Sequence, residues 1–226
     1  MSIIYFQGTF GAYSHIAALE IEPNAEIIPC KTFDECFLKA SLEDDSKIVI
    51  PESNRITGNI GIEYLIFKYR LNIYAEHFLK IEHNLLGQPG SSISDIKNVF
   101  SHAQALSQCS NFIKKNNLTE NVRADTAGSA ETIAKDKIKN EAAIASSLSA
   151  KIYKLKILEP NIENENSNTT RFLVMGKEVA QPDFGKKKYI TSFLFKLKSK
   201  PAALYQSLSG FAINGINLTK LQSYPE

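Results

Sequence analysis

Long apolar runs are missing from this sequence. None approaches the roughly 18 residues that a membrane-spanning helix needs, so no such helix is predicted. Charge of one sign is missing too. The 26 Lys and Arg balance 24 Asp and Glu, which argues against a nucleic-acid binder, whose basic residues cluster. The nearest approach to a basic run, Lys186-Lys187-Lys188, sits close to Pro182 and Gly185 and reads as a solvated linker. Cysteine is scarce. Cys30, Cys36 and Cys109 are odd in number and widely spaced, which fits reduced thiols in a cytosolic protein better than a disulfide framework. No Cys/His spacing resembles a zinc site, and His15, His77, His83 and His102 are scattered. There is no G-x-G-x-x-G, no G-x-x-x-x-G-K-[ST] and no G-x-S-x-G, so dinucleotide, P-loop and serine-hydrolase readings lose their support. The opening Met-Ser-Ile-Ile-Tyr-Phe has no basic start, long apolar core or cleavage site. A secretory leader is therefore not predicted, and a cytoplasmic location is.

What is present is an ordinary globular balance, 43% hydrophobic and 22% charged over 226 residues. That is enough for one two-lobed domain, or one domain plus a small one. Strand and helix patterns alternate. Strands are predicted at Ile3–Gln7, Glu26–Pro29, Lys47–Ile50, Asn98–Phe100, Asn121–Ala124, Ala142–Ala145 and Arg171–Met175. Helices are predicted from Ser14 to Ile21, after Thr32, over Gly61–Tyr69, Ala103–Lys115 and Ala127–Lys137, and from Ser147 to Tyr153. Thr32 followed by Glu35 is a capping-box signature. The extended stretch from Leu71 to Leu86 is long for one strand and reads as a crossing between two lobes. The alternation predicts a mainly parallel sheet with helices on both faces. Residues 181–188 have linker composition. Beyond them, Tyr189–Lys198, a helix opened by Pro201 and closed by Gly215, and Asn217–Ser223 form a βαβ pattern too small to bury a core alone.

Open α/β sheets bind ligands at the carboxyl ends of their strands. Polar clusters fall at such junctions: Gln7 to His15, Pro51 to Gly58, Ser101 to Gln104, Asp125 to Gly128, and Ser146-Ser147. Free N–H groups at helix N-termini favour anions. Together the clusters suit a small carboxylate-bearing ligand held between two lobes. Taken singly, Ser14, Asp125 and Ser146 read better as simple helix N-caps. His83 reads as a structural residue. Gln104 and Gln108 share one helix face, which serves equally as a binding face or a solvated one.

The order of these motifs resembles the prephenate dehydratase family, particularly its alphaproteobacterial branch. Gly8-x-x-Gly11-x-Tyr13-Ser14-His15, Ser101-His102-x-Gln104 with Gln108-Cys109, Asp125-Thr126-Ala127-Gly128-Ser129-Ala130 and Asn168-Thr169-Thr170-Arg171-Phe172 are similar to successive family signatures. Pro201-Ala202-Ala203-Leu204-Tyr205 and Leu221-Gln222-Ser223-Tyr224-Pro225 resemble the two phenylalanine-binding motifs of an appended ACT domain. The resemblance runs from Ile3 to Glu226, and it implies a fold: a two-lobed α/β catalytic domain like type II periplasmic binding proteins, with the active site in the inter-lobe cleft. A partial ferredoxin-like ACT domain follows. The expected boundaries are 1–180 for the catalytic domain (one lobe about 1–75 plus 160–180, the other about 76–159), 181–188 for the linker and 189–226 for the ACT part.

The resemblance also implies a reaction, loss of water and carbon dioxide from prephenate to give phenylpyruvate, without metal or organic cofactor. Thr170 matches the residue that assists hydroxide departure, and is best described as a positioned donor. Ser101, Gln108, Asn54 and Asp125 match other catalytic positions. Arg171, Phe172, Ser14, Thr169, Ser53 and Arg55 match substrate-contacting ones, with Arg171 read either as a carboxylate clamp or as a structural ion pair. Ala202, Ala203, Leu204, Gln222 and Ser223 match the effector site for L-phenylalanine. Assembly as a homodimer or homotetramer is implied too. Where the family carries Pro-x-Glu-Asn-Ser-x-x-Gly, this chain has Pro51-Glu52-Ser53-Asn54-Arg55-Ile56-Thr57-Gly58. Glu52 is one position displaced, so its side chain is expected to point away from the family's site. The intact Thr170-Arg171-Phe172, Ser101 and Gln108 elements imply retained activity. Only the first βαβ of an ACT domain is present, with Gln222 and Tyr224 in place of more usual Glu and Arg. Alternative readings are an arogenate dehydratase, a non-catalytic two-lobed binder of small carboxylates and, more weakly, an amino-acid sensor built on residues 189–226.

Overall fold

Period-two alternation and helix caps place most of the elements. In the computed structural model, which describes residues 2–56, 58–179, 181, 189–193 and 195–223, the chain divides into two units, Met1–Asp183 and Phe184–Glu226. The first unit contains β1 (Ile3–Gln7), α1 (Tyr13–Ile21), β2 (Glu26–Cys30), α2 (Phe33–Leu42), β3 (Ser46–Asn54), β4 (Gly58–Asn59), α3 (Glu63–Tyr69) and β5 (Asn72–Lys80). It continues with β6 (Asn84–Gly87), β7 (Asn98–Ser101), α4 (Ala103–Gln108), α5 (Ser110–Lys115), β8 (Thr119–Val122), α6 (Thr126–Asp136), β9 (Glu141–Ala145), α7 (Ser147–Tyr153), β10 (Lys156–Glu159) and β11 (Thr169–Gly176). Caps explain several starts. The Thr32 hydroxyl accepts from Glu35 N at 3.1 Å, the Asp125 carboxylate from Gly128 N, and Ser146 Oγ from Ser149 N at 3.0 Å. Ser14 is no cap. It lies inside the first turn of α1, whose N-cap is Ala12.

Two sheets build two lobes. The first has the order β2-β1-β3-β11-β5, with β4 paired to β3; the second has the order β10-β6-β9-β7-β8. The expectation of a mainly parallel sheet is only half met. β1, β2 and β3 are parallel, as are β7, β8 and β9, but β11 runs antiparallel between β3 and β5, and β6 antiparallel between β9 and β10. The physical reason is the crossing of the chain. It leaves the first lobe after β5 through residues 81–83 and returns through 160–168, and each crossing delivers a strand pointing against its neighbours. Hydrogen bonding of β5 to β11 continues to Lys80, so the first lobe extends past residue 75.

Each sheet buries both faces. In the first lobe, Ile48, Ile50, Leu173 and Met175 pack with Phe37 on the α2–α3 side, while Ile4, Val49, Phe172 and Val174 pack with Ala17 and Ala18 of α1 on the other. In the second, Val99, Ala142 and Ile144 meet Leu106 and Ile113, and Leu86, Ala143 and Ala145 meet Ala130 and Ile133. Fully buried Phe6, Phe37 and Phe172 each contribute about 1.5–3 kcal/mol by leaving water. The three cysteines are buried free thiols.

In the second unit, α8 (Ala203–Ile213) forms, as the Pro201 and Gly215 signals predict. The strands expected at 189–198 and 217–223 do not form among the described residues, which are extended or irregular there. An ACT fold is therefore not seen. A lone βαβ pattern offers its strands few backbone partners, and isolated pairs are marginal in water. None of the described residues of this unit is buried; Phe193 stacks on Phe195 and Phe211 at 5.7 and 5.3 Å. Most of the 181–188 linker, and Tyr224, Pro225 and Glu226, lie outside the described residues.

The lobes of the first unit touch at the β1–α1 loop. Ser146 Oγ and Ser149 Oγ both donate to Gly11 O, and Tyr153 Oη donates to Phe10 O at 2.8 Å. Gly11 has φ +92°, and a Cβ there would meet Ser149 Oγ at 2.5 Å and Ser149 Cα at 2.9 Å. Gly11→Ala is expected to destabilise the protein by about 2–4 kcal/mol, from left-handed strain plus overpacking; urea unfolding checks it, and an unchanged midpoint contradicts the latch. His15 accepts from Gly11 N at 3.0 Å through Nδ1 and stacks on Phe6 at 5.3 Å. Burial pulls its pKa below the ordinary 6.5. The unfolded chain then binds the proton more readily, so this part of the stability is present above pH 6.5 and is lost as pH falls below it. Unfolding free energies followed from about pH 8 to about pH 5.5 are expected to fall more steeply in the unaltered protein than in His15→Asn.

Candidate functional site

The polar centre of the first unit lies where the two crossings pass between the lobes. Its placement depends on one irregularity in β3. Along β3, Ile48 and Ile50 face α2 and α3. Strict alternation would send Asn54 to that face as well. The pairing with β11 slips, however: Phe172 lies opposite Pro51 but Arg171 opposite Ser53, leaving Glu52 as the extra residue of a bulge. A bulge reverses the phase of the residues that follow it. Asn54 thereby turns to the α1 face, beside Thr170, which shares that face with Phe172 and Val174.

Buried Asn54, Asn168 and Thr170 then join in a hydrogen-bonded chain. Asn54 Oδ1 accepts from Ile56 N at 2.9 Å. Asn54 Nδ2 donates to Thr170 Oγ1 at 2.7 Å and to Asn168 Oδ1 at 2.9 Å. Asn168 Nδ2 donates to Gln108 Oε1 at 3.1 Å, and the same oxygen lies 2.8 Å from His83 Nε2. The other His83 nitrogen, Nδ1, lies 2.8 Å from Tyr13 Oη, which is 2.9 Å from Glu82 O. Glu163 Oε2 accepts from His83 N at 2.9 Å. Burial lowers the His83 pKa and pushes the Tyr13 phenol well above its usual value, so both are neutral at neutral pH.

Beside this chain lies a cavity of about 150 Å³ whose walls include Ile56, Gln108, Glu163, Asn164 and Asn168. Two buried polar atoms of its walls, Gln108 Nε2 and Glu163 Oε1, have no hydrogen-bond partner among the described residues. Leaving such groups unpaired costs about 1–3 kcal/mol each, which marks them as groups with a partner to bind. One is a donor and the other an acceptor.

Of the residues singled out from sequence, the structure brings Thr170, Asn54 and Gln108 into one network. Arg171 departs from the carboxylate-clamp reading. It alternates to the opposite face from Thr170, where Nη1 meets Glu52 Oε2 at 3.3 Å and Nε meets Glu76 Oε2 at 2.7 Å. Glu52 points away from Asn54 because the bulge separates them, where strict alternation would have put both on one face. Thr169 also alternates to that face, its hydroxyl 3.5 Å from Ser167 O. Phe172 is 1% exposed in the α1-facing core, so the structure corrects its reading as a substrate contact. Ser101 is fully buried and its hydroxyl donates to Ile144 O at 2.6 Å. Asp125 spends its carboxylate on the N-terminus of α6. Ser14 is buried in α1; Ser53 sits at the bulge; Arg55 is exposed, with its N–H on Thr169 O at 3.0 Å. In the second unit, Ala202, Ala203 and Leu204 form the start of α8, and Gln222 and Ser223 lie in irregular chain.

Sequence reasoning gave Glu163 no role, read His83 as structural, and valued Tyr13 and Asn168 only as parts of motifs. A buried histidine between two lobes has no local signature. The one available signal was the extended Leu71–Leu86 stretch, which carries His83 across.

The comparisons agree with this architecture. The family model described as prephenate dehydratase matches residues 4–180. Arogenate dehydratase 2 of Petunia hybrida is 40% identical over 223 residues, 98% of this chain and 56% of that protein. The bifunctional N-acyl-homoserine lactone acylase/prephenate dehydratase of Komagataeibacter europaeus is 35% identical over 98% of this chain and 79% of its own. The chain thus spans little more than half the length of the Petunia relative. A solved prephenate dehydratase of Staphylococcus aureus superposes with a TM-score of 0.73 at 27% identity, covering 99% of this chain and 84% of that one. That of Arthrobacter aurescens, in complex with L-Phe, superposes at 0.85 with 24% identity over 99% and 76%, which supports the fold. On the family match and these identities, the chain belongs to the prephenate dehydratase family.

Proposed function

We propose that the first unit catalyses the dehydration and decarboxylation of prephenate to phenylpyruvate, a hydro-lyase step in aromatic amino-acid synthesis, with Thr170 as the donor to the departing hydroxyl. The observation that carries this is the direction of one hydrogen bond. A threonine hydroxyl has one proton and two acceptor lone pairs. Because Asn54 Nδ2 donates to Thr170 Oγ1, an acceptor position is filled and the Thr170 proton is left for another group. A ring hydroxyl placed there accepts that hydrogen bond as its C–O bond breaks, and the hydroxide released takes its proton from solvent to become water. The ring carboxylate then leaves as carbon dioxide, and its bonding pair completes the aromatic ring. Gln108 Nε2, which has no partner among the described residues, supplies a second donor for a carboxylate or carbonyl oxygen. Such preorganised donors act without reorganising during the reaction.

Several plant relatives are named arogenate dehydratase, and the same bonds would break in that second substrate. Phenylpyruvate and phenylalanine formation from the two substrates distinguishes them. Thr170→Ala is expected to lower kcat by about 10²–10³, the usual worth of one positioned donor. Thr170→Ser is expected to keep most of the rate. Turnover of neither substrate by the unaltered protein would reject the reading.

Regulation by phenylalanine through Ala202, Ala203, Leu204, Gln222 and Ser223 belongs to the same proposal, supported by the motif resemblance and by the L-Phe complex of the Arthrobacter protein. Equilibrium dialysis with labelled phenylalanine is expected to give saturable binding, weakened by Leu204→Arg; no saturable binding would remove this part.

A further inference from the structure

The buried chain from Ile56 to Tyr13 crosses between the lobes, and its direction is set at one end. The Ile56 N–H is a backbone donor, so the Asn54 atom facing it is the oxygen. Asn54 then presents Nδ2 to Asn168, whose facing atom must be Oδ1. That leaves Asn168 Nδ2 toward Gln108, whose facing atom must be Oε1. The same oxygen meets His83 Nε2 at 2.8 Å, and a carbonyl oxygen can only accept. Nε2 therefore carries a proton. Turning any one amide over would set two donors, or two acceptors, face to face. His83 is 2% exposed, and a mismatch against it in so low a local dielectric is costly.

We propose that His83 is a positioning residue for the active centre: as the neutral Nε2–H tautomer it pins Gln108 Oε1, so that Gln108 Nε2 faces the cavity as a substrate donor. This rests on the dehydratase reading above for its functional meaning, but not for its geometry. Two further contacts hold the imidazole itself. In that tautomer Nδ1 accepts the single Tyr13 phenol proton across 2.8 Å, in place of Glu82 O at 2.9 Å, and the tyrosine ring sits edge-on to the imidazole at 5.5 Å. Glu163 Oε2 and Ile162 N close on the His83 backbone N–H and C=O at 2.9 and 2.8 Å. The histidine is thus fixed from α1 on one side and from the returning crossing on the other. Gln108 is held likewise from its backbone, since its carbonyl accepts from Asn164 N at 2.7 Å. With both backbones held, the side-chain torsions of Gln108 are what is left to set the direction of its amide. Asn168 and His83 fix that direction together.

The test has one arm that needs no turnover. In the whole protein labelled with ¹⁵N-histidine, two-bond ¹H–¹⁵N correlation spectra report which ring nitrogen carries the proton. The His83 signals are assigned through their backbone connection, or as those that His83→Gln removes. The expected result is a neutral ring protonated at Nε2; a ring protonated at Nδ1 alone would overturn the proposal. The kinetic arm compares His83→Leu, which removes the donor, with His83→Gln, whose amide N–H can replace it. The leucine variant is expected to raise KM by about tenfold, the worth of one well-formed hydrogen bond, with kcat less affected, and the glutamine variant to restore most of the loss. Equal kinetics for the two variants would overturn the proposal. Absence of turnover in the unaltered protein would instead strike the dehydratase reading, with the tautomer result still deciding the position of the proton.

Discussion

The site depends on a single slipped pairing. Between Phe172–Pro51 and Arg171–Ser53, β3 gains one residue over β11. Pair every residue of β3 in strict alternation instead, and the face assignments beyond Glu52 invert. Asn54 would then point at α2 and α3, and Thr170 would lose the donor that occupies its lone pair. The same slip points Glu52 the other way, at the Arg171 guanidinium. One backbone irregularity therefore sorts the residues at the end of β3 into a polar centre on one face and an ion pair on the other.

The second dependence is on how the lobes are joined. Among the described residues, only 81–83 and 160–168 pass between the sheets, and both crossings carry members of the buried chain: His83 on one, Glu163 and Asn168 on the other. Polar groups buried at such a junction are costly unless paired, so the network holds the lobes in register because each member needs its partner. The apolar cores lie on either side of it and share no residue. Directional hydrogen bonds, here and at the Gly11 latch, thus tie one lobe to the other. A crevice between lobes held by directional bonds can keep open walls for a ligand, where an apolar seam would close.

Local rules made much of this legible. The Thr32 cap, the strand at Ile3–Gln7 and the helix after Asp125 follow from spacing and side-chain chemistry within a few residues, and the structure has them in place. Thr170, Asn54 and Gln108 were legible as parts of motifs. What escaped was non-local. The direction of β11 and β6 depends on where the chain comes from after a crossing, which period-two alternation does not record. The duty of Ser101 depends on Ile144 O, a strand away in space and distant in sequence. His83 was read as structural, but its partners escaped for a related reason, since they come from α1 and α4. In the second unit the alternation at 189–198 is real, but a strand needs neighbours, and pattern alone supplies none.

The Thr170-Arg171-Phe172 element shows how a linear motif divides its work. Consecutive residues of a strand face opposite ways, so three adjacent residues cannot all line one cleft. Thr170 and Phe172 share the α1 face, yet Phe172 lies one pair deeper, sealed by Val49 and Val174, and serves as the apolar floor under the polar pair. Arg171 takes the reverse face and ties β3 to β5 through Glu52 and Glu76. Glu52 is buried, and a buried carboxylate needs a partner; Arg171 supplies it at the very level of the bulge. The arginine therefore acts on the chemistry from behind. It stabilises the bulged conformation that turns Asn54 toward Thr170, so the motif's charged residue supports the hydroxyl beside it without reaching the cleft.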